Sequence, residues 1–278
     1  MNKALLKQFI PPIITNALVK SKYTNTPVKY SGNYNTWIAA KQDSIGYDAA
    51  NILEKVKTSI LKVKNGEAAY ERDSLAQDNI QYSWPLLGAL QHISIIKGNK
   101  LSVIDFGGSL GSSYFQNRLA LSHLNNLRWT IIEQEHFVKC GKEFIEDEVL
   151  KFHYTIDEAC LENDFDVMVL SGVHQCMPDT VNFTQDILSK GFEYILIDRV
   201  SFIEDSTRLV VQTVPDWLYR ASYPTYLFRE EEFIQPYLSN YEVIYDFDSQ
   251  VDEDEISDDG KRMYWKGFFL KKRILNKG

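Results

Sequence analysis

Cysteine is scarce in this 278-residue chain, and Cys140, Cys160 and Cys176 share no Cys-x-x-Cys spacing. Neither a disulfide framework nor a structural zinc site is indicated, and the pattern suits a reducing cytoplasm. Positive charge is in deficit too: 30 Lys and Arg against 38 Asp and Glu give a formal net charge of −8. A duplex nucleic-acid binder needs a basic face to neutralise phosphates, and no basic run supplies one, so nucleic acid is not an expected partner. Long apolar runs are missing. The opening MNKALLKQFIPPIITNALVKSK is broken by Pro11-Pro12, too short to span a bilayer, and expected to form a docked helical arm with at most weak contact to an anionic membrane surface. The acidic run VDEDEISDDG (251–260) lacks the ligand alternation of an EF-hand and reads as a solvated loop.

What is present is core-forming material, with 44% hydrophobic residues in all. Ile52, Val56, Ile60 and Val63 fall on one helical face, and a second helical stretch is expected over about 74–97, stopped near Gly98. From Leu101 the pattern alternates. Strands are predicted at LSVIDF (101–106), RWTIIE (128–133), KFHYT (151–155), FDVMVL (165–170) and EYILIDR (193–199), with helices at about 112–124, 136–146, 157–162 and 179–190. YEVIYDF (241–247) and WKGFFLKK (265–272) form an expected antiparallel pair at the sheet end. The prediction is a Rossmann-like α/β domain with a seven-stranded, mostly parallel, doubly wound sheet, its ligand at the carboxyl ends of the strands. Residues 1–100 are expected to form an N-terminal helical cap, and 101–278 the binding domain, with an aromatic insertion at about 201–232.

The stretch VIDFGGSLGSSYFQ (103–116) puts three glycines within five residues, just past an aspartate. A P-loop needs GxxxxGK[ST], and no lysine follows. A dinucleotide fingerprint needs G-x-G-x-x-G, but from Gly107 it meets Ser109 and Ser112, and from Gly108 it meets Leu110. The better match is the acidic-x-Gly-x-Gly-x-Gly motif that binds S-adenosylmethionine (AdoMet) in class I methyltransferases. Asp105, Gly107 and Gly111 fit in place, Ser109 takes the middle glycine and Gly108 adds freedom. Such a site also wants a carboxylate ending the second strand, to accept the ribose hydroxyls, and Glu133 stands there.

Several blocks resemble a bacterial methyltransferase-like family associated with surface-polysaccharide biosynthesis: SGNYNTWIAA (31–40), GYDAANIL (46–53), YERDS (70–74), VIDFGGSLGSSYFQNR (103–118), WTIIEQEHFVKCGK (129–142), IDR (197–199) and VQTVPDWLYRASYPTY (211–226). The resemblance implies a class I AdoMet-dependent fold, with the cofactor on Asp105, Gly107, Gly108, Ser109, Gly111 and Glu133. It leaves the acceptor undefined. Family members commonly carry SSxLxY after the fourth strand, whereas this chain has SGVHQC (171–176).

Chemistry is expected in that loop. Ser171 would lie beside the cofactor's sulfonium, and His174 is the candidate general base, because imidazole titrates near working pH. Asp198 and Arg199 end the fifth strand at the same edge, as candidate acceptor contacts. A metal-dependent methyltransferase would want acidic ligands after both the fourth and fifth strands; only the fifth offers one, so no catalytic metal is predicted. In YERDS, Asp73 or Ser74 reads as a helix cap and Glu71 and Arg72 as a surface pair; the resemblance implies the alternative, that Arg72 reaches the cofactor carboxylate or an anionic acceptor, with Glu71 beside it as a candidate acceptor contact. Tyr34, Trp37, Tyr82, Trp84, Trp217, Tyr219 and Tyr223 are candidates to roof a pocket, Tyr34 and Trp37 foremost. The expected function is AdoMet-dependent methyl transfer to a small-molecule or sugar acceptor. The rivals are a non-catalytic AdoMet-fold protein and, more weakly, an NAD-dependent oxidoreductase.

Overall fold

A computed structural model describes residues 28–46, 49–215 and 221–274. The expected N-terminal arm, Trp217 and Tyr219 lie outside the described residues. Five parallel strands form the centre: β4 (Lys100–Phe106), β5 (Asn126–Ile132), β6 (Leu150–His153), β7 (Val167–Ser171) and β8 (Tyr194–Ile203). With β11 (Tyr241–Asp248) and β13 (Arg262–Lys272) the spatial order is β11-β13-β8-β7-β4-β5-β6, and β13 runs antiparallel to both its neighbours. A two-residue strand, β12 (Glu255–Ile256), pairs with β13 outside this path. The result is a doubly wound, Rossmann-like α/β sheet. Its strand order reverses at β4, so the crevice beside that strand's carboxyl end is where such folds take a ligand.

Side-chain alternation explains why both faces are covered. Val103, Val167, Val169 and Leu196 point into one core cluster, while Ile104, Met168, Leu170 and Ile197 point into the other. The first cluster is closed by α2 (Ala49–Lys64), through Ile52, Val56, Ile60 and Val63, and by α3 (Trp84–Ile96), through Leu86, Leu90 and Ile93. The second is closed by α6 (Ile156–Glu162), α7 (Thr180–Lys190) and α8 (Glu230–Ile234), through Ile156, Ile187 and Phe233. Between these elements lie α4 (Ser112–Asn117) and α5 (Glu135–Cys140), both shorter than the sequence pattern suggested. Among the described residues no helix is long and apolar enough to cross a membrane.

The helix expected from residue 74 begins only at Trp84, with Pro85 in its first turn, where proline's missing N–H costs nothing. Before it, β2 (Tyr70–Arg72) and β3 (Leu75–Gln77) form a hairpin. Its turn is made by Asp73 and Ser74 at φ 51° and 69°, so neither acts as the expected helix cap. A second sheet joins the N-terminal region to the insertion: β1 (Lys29–Ser31) and β10 (Ala221–Leu227) both pair antiparallel with β9 (Arg208–Val214). Along β9, Val210 packs with Tyr30, Met263 and Trp265, while Leu209 and Val211 pack under α1 (Trp37–Gln42).

Candidate functional site

The glycine turn starts where β4 ends. Gly107 donates its N–H to the Ile132 carbonyl at 2.8 Å, which ties the turn to the end of β5. Gly107 sits at φ +71°, and a Cβ there would come within 2.8 Å of Val173 Cγ2. At Gly108 a Cβ would stand 2.6 Å from the Asp105 carboxyl carbon, so no larger residue fits without displacing that carboxyl. Gly111 then donates to the Gly108 carbonyl at 2.9 Å and leads into α4. Ser109, the one departure from glycine, also holds a left-handed backbone at φ 55°. A side chain there costs on the order of 1 kcal/mol relative to glycine.

Two carboxylates act on this turn from different sides. Glu133, just past the end of β5, accepts the Gln134 N–H at 2.7 Å; burial raises it above the usual carboxylate range, and the backbone N–H groups of Gln134 and Ser109 oppose that rise. Asp105 is only 1% exposed and accepts the Trp129 indole N–H at 3.0 Å. Burial pushes it up to about 7; the indole bond opposes the shift and the Glu133 charge adds to it. Asp105 thus lies beneath the turn and shapes it.

The next corner is built by β7 and β8. Ser171 lies opposite Asp198 in register, and the Gly172 N–H donates to the Asp198 carbonyl at 2.9 Å. Asp198 is 2% exposed and accepts the Arg199 N–H at 2.9 Å. Burial pushes it up to about 6, against the pull of the Arg199 charge. Arg199, at φ 57°, grips both oxygens of Asp252 at 3.0 Å and lies 3.7 Å from Asp73. Gln175 donates to the Arg199 carbonyl at 2.9 Å, while its Oε1 is buried without a partner.

His174 does not occupy the position of a base. It is 1% exposed, shares a 2.7 Å hydrogen bond between Nε2 and the Tyr237 hydroxyl, and packs edge-on against Phe183 and Phe233. Desolvation pushes it down to about 3. A neutral imidazole that weakly basic is a poor proton acceptor, so the expected catalytic role is corrected to a core role.

The expected acceptor contacts also divide. Glu71 is 1% exposed, accepts the Ser74 N–H at 2.8 Å and is bonded by the Ser112 hydroxyl at the start of α4. Burial raises it to about 7, with those two bonds opposing. It pins the β2–β3 hairpin to the helix after the glycine turn and does not face a ligand. Arg72 touches Asp73 at 3.5 Å and keeps a buried Nη1 without a partner. Tyr34 donates to Asp43, and Trp37 stacks on Tyr226 with ring centroids 5.7 Å apart; both pack against Leu209 and Val211 as cover for the small sheet.

Asp105, Gly107, Gly108, Ser109, Gly111 and Glu133 are thus brought together, with Ser171, Asp198, Arg199 and Arg72 at the adjoining corner. Asp252 is the residue that sequence reasoning missed. It sits in the run assigned to solvent, where six carboxylates offer no local signal to single one out. Among the described residues no group of three or more His, Cys, Asp or Glu side chains is placed to hold a metal ion.

No protein-family model and no curated protein matches this chain. Among solved structures it is similar to a 1,6-didemethyltoxoflavin-N1-methyltransferase of Burkholderia thailandensis with bound 1,6-didemethyltoxoflavin and S-adenosylhomocysteine (13% identity, 91% of this chain and 98% of that one, TM-score 0.44). It is similar also to the N-terminal domain of EvdMO1 in the presence of S-adenosylhomocysteine and D-fucose (13%, 82% and 98%, 0.46). A third remote likeness is to the glycopeptide N-methyltransferase MtfA complexed with AdoMet (10%, 67% and 94%, 0.43).

Proposed function

We propose that this chain is an AdoMet-dependent methyltransferase acting on a small or carbohydrate-linked acceptor. The observation that carries the reading is the glycine turn at the carboxyl end of β4, tied by the Gly107 N–H to the Ile132 carbonyl, with Glu133 standing next in the chain at the end of β5. The residues fit the cofactor. Glu133 accepts from the Gln134 N–H and keeps lone pairs for a ribose diol; the turn offers bare backbone at Gly107 and Gly108; and Arg72 Nη1 is an orphaned donor for a carboxylate. AdoMet supplies an electrophilic methyl group when bound. The protein's part is alignment of the acceptor at Ser171. In this reading residues 1–100 cap the site and the 201–232 insertion faces the acceptor. The resemblance to the polysaccharide-associated family supports a cytoplasmic sugar pathway.

Calorimetry with AdoMet, S-adenosylhomocysteine and NAD tests the reading. Both sulfur nucleotides are expected to bind and NAD not to. Glu133→Gln should weaken AdoMet about tenfold, the loss of one charged acceptor for the diol. Binding of neither sulfur nucleotide defeats the proposal. The burial of His174 favours a second reading, a binding protein that transfers nothing; AdoMet binding without methyl transfer to any acceptor pool would select it.

A further inference from the structure

A small open cleft of about 220 Å³ lies at the amino ends of the central strands, on the edge opposite the glycine turn. β4 has seven residues, at roughly 3.3 Å each, so the two edges are about 20 Å apart. Folds of this type take their ligand at the carboxyl edge, and this cleft is no part of that crevice.

Its polar lining follows from strand register. In the parallel β4–β5 pair, Lys100 stands opposite Asn126 and Ser102 opposite Arg128. Side chains two residues apart share a face, so these four project from the side on which Ile104 and Ile132 enter the core. Toward the amino ends that apolar face gives way to a two-by-two array of hydrogen-bond donors. Lys97 and Asp166 complete the rim.

Charge decides what such a cleft accepts. Asp166 is already engaged: it accepts the Ser102 N–H at 2.9 Å and lies 3.4 Å from Lys97, which also bonds Glu193 at 2.6 Å. Lys100 and Arg128 have no carboxylate partner among the described residues. In a chain of net charge −8, two unpaired cations therefore stand diagonal to each other on adjacent strands. In register with Arg128, the Ser102 hydroxyl is buried with no hydrogen-bond partner. A buried polar atom left unpaired in a native fold points to a missing partner, and the oxygens of a bound anion would supply one. A guanidinium fork, an ammonium, a carboxamide and a hydroxyl together suit the several oxygens of a phosphate. The volume is below the roughly 300–1,000 Å³ of larger ligand sites, which limits the rest of the ligand to a few carbon atoms.

We propose that this amino-edge cleft binds a phosphate group, as the free ion or as the monoester of a small metabolite, at a site separate from the glycine-turn crevice.

The test is titration of the full chain with inorganic phosphate and with ribose 5-phosphate, read by phosphorus NMR line broadening and by calorimetry, with ribose as the uncharged control. At least one phosphate should bind, at about a millimolar dissociation constant or tighter, and ribose should not. The tighter of the two identifies the source, free ion or metabolite. Arg128→Met should weaken binding about tenfold, and Lys100→Met and Ser102→Ala about threefold each. Lys62 is an exposed cation on α2, and Lys62→Met should leave binding unchanged. None of these variants should melt below the wild type. Absence of phosphate binding, indifference to Arg128→Met and Lys100→Met, or equal loss in Lys62→Met overturns the proposal. Displacement of phosphate by S-adenosylhomocysteine also overturns it, because the anion would then lie in the crevice.

Discussion

The β4–β5 edge and the β7–β8 corner lie in the same crevice, yet they relate to the sequence in opposite ways. At the first, the residues singled out by their spacing meet: backbone hydrogen bonds close the turn on itself, from Gly111 to Gly108, and tie Gly107 to Ile132, next to Glu133. At the second, the residues singled out by their chemistry are turned to other partners. His174 is bonded to Tyr237, Asp198 to its neighbour's N–H, and Arg199 to Asp252. A backbone-built site is written locally, because φ angles and close approaches are set by the residues themselves. A side-chain site depends on which distant groups arrive, and no spacing rule reports that.

Gly108→Val presses hardest on this contrast. Its side chain would collide with the Asp105 carboxyl, with contacts already at 2.6–2.9 Å for a Cβ alone. A drop in AdoMet affinity of about 100-fold or more is expected by calorimetry, equivalent to about 2.7 kcal/mol. Retained binding would show that the turn does not carry the site.

Arg199→Met comes next and acts at the other corner. It leaves the largely buried Asp252 without its cation, while Asp73 keeps Arg72, and should cost about 2 kcal/mol in urea unfolding. Because the two corners are held by different contacts, AdoMet affinity should fall much less than for Gly108→Val. Equal loss in both variants would erase the distinction between them.

A pH series on Asp105→Asn reads the first edge through proton linkage. The folded-state carboxyl is raised to about 7 from an ordinary value of 3.8, so the folded protein holds its proton more tightly than the unfolded chain. The associated stability is complete below about pH 4 and lost as pH rises through about 7. Relative to the asparagine variant, the wild-type urea midpoint should fall across that window. His174, pushed down to about 3, contributes the opposite slope in both proteins and cancels from the difference. A flat difference would mean that Asp105 is not held in a desolvated site.

Ser109→Gly should produce the mildest change. Relief of the left-handed serine is expected to stabilise the protein by up to about 1 kcal/mol, with AdoMet affinity unchanged, since glycine keeps the backbone of the turn. Lost affinity would assign the serine hydroxyl a role in binding.

The sheet was legible from the sequence because each central strand is a short apolar run buried on both faces. Val103 and Ile104 serve opposite cores, and so do Val167 and Met168. The β2–β3 hairpin was not legible. Leu75–Gln77 carries no strand-like alternation, and the turn places Asp73 and Ser74 in a conformation that favours glycine, held there by the Glu71 carboxylate. The pairing of β1 with β9 was equally hidden, since its partners are separated by about 180 residues of chain.

What the sequence by itself determined is the doubly wound sheet, the place of the glycine turn and the carboxylate one strand later, all consequences of local periodicity and backbone freedom. Only the tertiary structure decided what the polar side chains do. It buried His174 among aromatics, drew Asp252 out of an acidic run onto Arg199, and turned Glu71 from a ligand contact into a pin for the hairpin. The physical reason is desolvation. A charged or titrating group takes its partner, its basicity and its access to a ligand from whatever packs over it, and that is settled by chain segments far away in sequence.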